Sequence, residues 1–131
     1  MTTVLIVEDD PLNFRVFVKI LTKVASLEVK GTENVDEVIQ MVSQKEVDII
    51  LMDVSLSNSF YQGRAVDGVR IAQILKSDPA TNWIPILLVT AHAIEGNAEH
   101  LLQKSQADGY ISKPIMDYQQ FVQQILQFME K

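Results

Sequence analysis

Short apolar runs alternate with longer stretches in which apolar positions recur at helical spacing, and the alternation repeats five times. The first run is Val4-Leu5-Ile6-Val7. Asp10-Pro11 then predicts a helix start, with Asp10 as N-cap and Pro11 in the first turn, where a missing amide hydrogen costs nothing. Phe14, Phe17, Val18, Leu21 and Val24 follow as one apolar face. Leu27 to Gly31 predicts a short, weak second strand. Asn34 with Glu37 three residues later has the form of a capping box, opening a helix through about Gln44. The run Val47-Asp48-Ile49-Ile50-Leu51-Met52, ending at Asp53, reads as a third strand buried on both faces of a parallel sheet. A helix is expected from about Asp67 to Lys76, closed by Asp78-Pro79, and a fourth strand from Ile84 to Thr90. A mostly polar helix from Glu95 to Gln106 turns Ala98, Leu101 and Leu102 inward. Asp108 to Ser112 is the fifth strand. Asp117 caps a last helix whose inward residues are expected to be Phe121, Val122, Ile125, Leu126 and Met129.

One stretch breaks the pattern. Ser55 to Val66 reads Ser-Leu-Ser-Asn-Ser-Phe-Tyr-Gln-Gly-Arg-Ala-Val, without clear periodicity, and is long for a loop between a strand and a helix. Elsewhere the strand–helix alternation with short joins predicts an α/β fold: a five-stranded parallel sheet, doubly wound, with helices on both faces. No repeat, low-complexity tract or linker divides the chain. Its 131 residues are expected to form one domain over 1–131, with no output domain attached.

Composition narrows the function classes. The chain is 47% hydrophobic and 21% charged, ordinary for a globular protein. A net charge of −6 argues against DNA, because phosphate contacts need clustered Lys and Arg. With no cysteine there is no disulfide and no thiol catalysis, which suits a cytoplasmic location. No apolar run approaches the roughly 20 residues of a membrane span, and the N-terminus lacks the basic region of a signal peptide.

The candidate chemistry lies at the strand ends. Asp53 ends the third strand, Glu8 and Asp9 follow the first, Thr90 ends the fourth and Lys113 follows the fifth. In an open α/β sheet the carboxyl ends of the strands form the binding edge, so these groups are expected to meet. Magnesium favours octahedral oxygen ligands, among them one or two carboxylates, and a cation would let three neighbouring acids stay ionised together. A carboxylate can also attack phosphorus, provided that donors and cations hold the phosphoryl oxygens. Lys113 offers a point charge and Thr90 a hydroxyl. Asp10 is read as a helix cap only.

These segments, Val-Glu8-Asp9-Asp10-Pro, Leu-Met-Asp53, Val-Thr90-Ala91 and Tyr110-Ile-Ser-Lys113-Pro114, resemble the receiver domain of two-component response regulators in order and spacing, over essentially the whole chain. The resemblance implies a flavodoxin-like sheet of order 2-1-3-4-5. It implies that Asp53 takes a phosphoryl group from a histidine kinase or a phosphotransfer protein. Magnesium would be bound by Asp9 and Asp53, by Glu8 through water and by the Ser55 carbonyl. Thr90 and Lys113 would hold the phosphoryl group, Tyr110 would be the switch aromatic that follows Thr90, and Pro114 would form a cis-proline turn. Such a protein catalyses only its own phosphorylation and dephosphorylation and is not a conventional enzyme. It signals by binding a protein target, through a surface expected to include Ile94, Ala98, Tyr110, Ile115 and Tyr118, and it can form a homodimer.

The chain departs from the family where Asp67-Gly68 arrives several residues late, with no proline after Asp53. The intervening segment, Ser57 to Val66, carries Phe60, Tyr61 and Arg64, and it is expected either to be a passive surface insertion or to contact a partner. His92 stands two residues after Thr90, where family members tune the hydrolytic water, and His100 is expected at the surface. Rival readings fit less well. A haloacid-dehalogenase-like, magnesium-dependent phosphatase needs a second acid two residues after its nucleophile, where this chain has Ser55. A flavodoxin-like cofactor binder needs a phosphate-cradling loop after the first strand, where Glu8-Asp9-Asp10 would repel phosphate. A receiver that no longer takes phosphate would not be expected to keep the acid, hydroxyl and lysine set.

Overall fold

The structure is a computed structural model and describes residues 2–56, 59–90, 97–113 and 115–129. Its elements in chain order are β1 (Thr3–Val7), α1 (Pro11–Ala25), β2 (Glu28–Thr32), α2 (Val35–Ser43), β3 (Ile49–Asp53), β4 (Phe60–Tyr61), β5 (Arg64–Ala65), α3 (Gly68–Lys76), β6 (Ile86–Thr90), α4 (Asn97–Ser105), β7 (Gly109–Ser112) and α5 (Tyr118–Met129). The main sheet is parallel, in the order β2-β1-β3-β6-β7. With the small β4–β5 hairpin set aside, this is the 2-1-3-4-5 order that the family resemblance implies. Ala91, His92, Ile94, Pro114 and the beginning of the inserted segment lie outside the described residues, so the expectations placed on them do too, as does the inward direction expected for Ala98.

Strand residues alternate between two apolar layers, as a period of two requires. Leu5, Val7, Ile50, Met52, Ile86 and Leu88 face α2 and α3, meeting Val38, Val42, Ile71 and Leu75. Val4, Ile6, Ile49, Leu51, Leu87 and Val89 face α1 and α5, meeting Phe17, Leu21, Phe121 and Ile125. The Phe17 and Phe121 rings stack with centroids 5.7 Å apart, joining the two helices of that layer. The edge strand β2 is the least buried of the five, which accounts for its weak apolar pattern.

The helix starts follow their sequence signals. The Asp10 side chain accepts from Leu12 N, Asn34 from Glu37 N, Asp67 from Arg70 N and Asp117 from Gln120 N. Two expected core positions are wrong. Val24 is 42% exposed and Leu126 36% exposed, while Ile20 is buried and Phe128 packs against the core instead. A stripe judged from spacing alone is uncertain by a residue at its margins, and neighbouring helices decide which residue turns in. The strand starts hold two acids that periodicity does not explain. Asp48 accepts from Thr3 N at 2.8 Å, and Asp108 accepts from Ile86 N at 2.8 Å while pairing with Lys76 at 2.9 Å. Each ties the beginning of one strand to the segment leading into its neighbour.

The inserted segment corrects the expectation of a patternless loop. Its strands pair antiparallel, Phe60 with Ala65 and Tyr61 with Arg64. Among the described residues no helix is long and apolar enough to cross a membrane.

Candidate functional site

The parallel register brings four strand ends to one edge. Val7 pairs with Met52, Asp53 with Val89 and Thr90 with Ser112. The residues that continue β1 and β7, Glu8 with Asp9 on one side and Lys113 on the other, therefore converge on Asp53. Two backbone bonds fix the junction: Val54 N donates to Val89 O at 3.1 Å, and Lys113 N donates to Thr90 O at 2.9 Å.

Asp53 is 5% exposed, and its Oδ1 accepts from Lys113 Nζ at 3.1 Å and from Ser55 N at 3.2 Å. Lys113 Nζ also lies 3.6 Å from Glu8 Oε1. Thr90 is 2% exposed at the end of β6. Glu8, Asp9 and Asp53 each bring a carboxylate oxygen to within 4.8 Å of the others. Glu8 Oε1 is buried without a hydrogen bond. Its carboxyl is pushed up from 4.5 to about 7: burial contributes most, then a side-chain hydrogen bond with Asp53 and that residue's charge, while Lys113 and the Asp10 amide pull the other way. A compact set of three carboxylates, one with an unsatisfied oxygen, suits a hard divalent cation with oxygen ligands.

Gly68 places α3 hard against the end of β3. Its amide donates to Val54 O at 3.3 Å, and a Cβ there would run into the Asp53 carbonyl. The late Asp67-Gly68 pair thus stands at the end of β3 despite the insertion before it.

All the expected acids, together with Ser55, Thr90 and Lys113, meet at this edge. Tyr110 lies on β7 beside Leu88 and is 38% exposed, with Tyr118 49% exposed. Ile115 is half-buried and His100 is exposed. Sequence reasoning did not foresee the raised Glu8 carboxyl, nor that Gly68 is the residue that lets α3 approach. The tight strand-to-helix contact is a long-range effect, and Gly at the first helical position was its only local sign.

Residues 4–126 match the family model described as "Response regulator receiver domain". The polar-differentiation response regulator DivK of Brucella anthropi is 34% identical over 113 residues, covering 86% of this chain and 85% of that protein. DivK of Brucella ovis matches to the same extent. Among solved structures, the receiver domain of a sensor histidine kinase from Pseudomonas aeruginosa, with a magnesium ion coordinated in its active-site cleft, superposes with a TM-score of 0.80 at 22% identity, covering 99% of this chain and 98% of that one. A putative response regulator from Chloroflexus aurantiacus superposes with a TM-score of 0.82 at 24% identity, over 99% and 98% of the two chains.

Proposed function

The chain belongs to the response regulator receiver domain family, and from that membership we propose that Asp53 is its phosphoryl acceptor and that phosphorylation controls its binding to a protein target. The observation that carries the reading is the convergence of Lys113, Thr90 and the three acids on one buried carboxylate. An oxygen of ionised Asp53 attacks the phosphorus of a phosphohistidine on a kinase or phosphotransfer protein. The new O–P bond makes an acyl phosphate as the P–N bond breaks, and the donor imidazole leaves with the electron pair and takes up a proton. Lys113, already against Oδ1, supplies positive charge to the incoming phosphoryl oxygens.

Glu8, Asp9 and Asp53, with the Ser55 carbonyl, would hold magnesium, which supplies the charge that lets the acids ionise together and offsets the phosphoryl oxygens. The Thr90 hydroxyl binds the phosphoryl group and passes its arrival to Tyr110 on the neighbouring strand. The chain thereby acts on itself rather than turning over a separate substrate, and a cytoplasmic setting goes with this reading. The haloacid-dehalogenase alternative has no support, since the acceptor ends the third strand and position 55 is Ser.

The test is intact mass after incubation with acetyl phosphate and magnesium. One added phosphoryl group per chain is expected, labile to hydroxylamine and absent in Asp53→Asn. Undiminished labelling of Asp53→Asn would remove Asp53 from the centre of the reaction.

A further inference from the structure

Outside the acid site, the most unusual charge in this acidic chain sits on the inserted hairpin. Gln62 and Gly63, at φ 53° and 81°, join β4 to β5 through a two-residue turn whose twist suits paired strands. The hairpin is fastened to the domain. Ser59 is buried and its Oγ donates to Glu33 O at 2.6 Å, Val66 N donates to Ser59 O at 3.0 Å, and Tyr61 packs against the core.

Between the hairpin and the first turn of α3 lies a recess of about 480 Å³, lined by Tyr61, Gln62, Arg64, Ala65, Val66 and Arg70. Its charged lining residues are the two arginines. Among the described residues neither pairs with a carboxylate: the ion pairs belong to Lys30, Lys76 and Lys113. Arg70 Nη1 meets the neutral Gln73 Oε1 at 3.2 Å, and Asp67, between the arginines in sequence, is engaged in capping α3. In a chain of net charge −6, the recess is thus lined by two guanidiniums that form no ion pair among the described residues. Tyr61, Ala65 and Val66 supply the uncharged wall of the same recess.

We propose that this recess docks an acidic segment of a partner protein, its carboxylates pairing with the Arg64 and Arg70 guanidiniums and an apolar side chain beside them lying against Tyr61 and Val66. The planar guanidinium matches a carboxylate through two parallel hydrogen bonds. A protein segment fits better than a small anion because Tyr61, Ala65 and Val66 give the same recess an apolar side, and Arg with aromatic residues is the pairing that carries energy at protein interfaces. A fastened hairpin loses little freedom on binding. The docking itself stands on the recess; that the partner is a signalling protein rests on the receiver reading.

The experiment uses the full chain, isotope-labelled for NMR, titrated with the synthetic peptide Leu-Glu-Glu-Glu-Glu-Leu at moderate ionic strength. Amide shifts confined to Tyr61 through Arg70 are expected. Arg64→Glu with Arg70→Glu should weaken binding by about tenfold or more, whereas Lys19→Glu with Lys23→Glu, the same charge change on α1, should leave it within about twofold. Arg64→Lys with Arg70→Lys, which keeps the charge and the fold but loses the fork, should bind with intermediate affinity and replaces the reversal should that variant unfold. Equal weakening by the α1 reversal, shifts spread over the surface, or no binding would overturn the proposal. So would displacement of the peptide by citrate at matched ionic strength, which would make the recess a small-anion site. Acetyl phosphate labelling of the same samples reads the acceptor separately: its failure would count against the receiver reading and leave the docking result standing.

Discussion

The Lys113 ammonium lies 3.1 Å from Oδ1 of Asp53, a residue 60 positions earlier, and 3.6 Å from Oε1 of Glu8. One cation thus stands between two buried acids of different strands. Its backbone is held by the bond from Lys113 N to Thr90 O, so the ammonium is delivered by the sheet rather than by a chance surface encounter. Two acids this close would otherwise repel, and the repulsion is offset by the lysine, by a metal ion or by a proton on Glu8.

Lys113→Met should therefore do more than remove a phosphoryl contact. Without metal at pH 8 it leaves Asp53 and Glu8 facing each other unpaired, at a cost on the order of 1–3 kcal/mol, below the range for a fully buried pair because the lysine is partly exposed. At pH 5, where Glu8 is protonated, the cost should shrink. Urea unfolding in EDTA at the two pH values checks this, and equal losses at both would mean that the ammonium does not buffer the acids.

The Glu8 carboxyl, raised from 4.5 to about 7, sets a sign for the pH dependence of stability. Between those values the folded metal-free protein holds a proton that the unfolded chain releases. The contribution of Glu8 to stability is therefore fully present below about 4.5 and is lost as pH rises through about 7. Glu8→Gln should flatten this slope and make the metal-free protein more stable than the parent at pH 8, by on the order of 2–3 kcal/mol. Magnesium should bind the parent more tightly as pH rises through the same window, because the ion must displace the proton. Parallel stability profiles for parent and variant would place the titrating group elsewhere.

The site was legible in the sequence because it depends on strand ends, and strand ends are where apolar runs stop at polar residues. Asp53, Glu8, Thr90 and Lys113 could each be found that way, and the sheet needed only to be parallel for them to meet. The caps Asp10, Asn34 and Asp117 were legible because they act within three residues. The hairpin was not. Each of its strands is two residues long, too short for a period to show, and Gln62-Gly63 is not the Asn-Gly or Asp-Gly pair that signals such a turn. What holds it is Ser59 reaching Glu33 and Tyr61 meeting the core, which are contacts between distant segments. Asp48 and Asp108 escaped notice for the same reason, since their partners lie 45 and 22 residues away.

The neighbouring acids Asp9 and Asp10 should separate by function. Asp10 caps α1, with its side chain accepting from Leu12 N at 2.9 Å. Asp10→Ala should cost about 1 kcal/mol of stability and leave magnesium-dependent labelling intact. Asp9 belongs to the acid cluster, and Asp9→Ala should reduce magnesium binding and labelling by about tenfold or more, because a charged ligand is lost from a hard cation. Calorimetric magnesium titration beside acetyl phosphate labelling distinguishes the two, and equal effects would mean that the cluster does not bind as assigned.

The two rings of the hairpin, alike in sequence, should behave differently. Phe60 is 60% exposed, and Phe60→Ala should change stability by no more than about 0.5 kcal/mol. Tyr61 points to the other side of β4, packs against the layer of α2 and α3, and should cost about 1–3 kcal/mol when cut to Ala. Ser59→Ala breaks the 2.6 Å bond to Glu33 O and leaves that carbonyl without this donor, at a cost of about 1 kcal/mol. Replacing residues 57–66 by a short Gly-Ser link removes Tyr61 and Ser59 together, so the shortened chain should fold but melt several degrees lower. The Asp53 carbonyl keeps its packing against Gly68, so acetyl phosphate labelling should persist. Thermal melts of the three point variants and the shortened chain give the ranking. A loss for Phe60→Ala as large as that for Tyr61→Ala would put both rings in the core and contradict the two-faced arrangement of the hairpin.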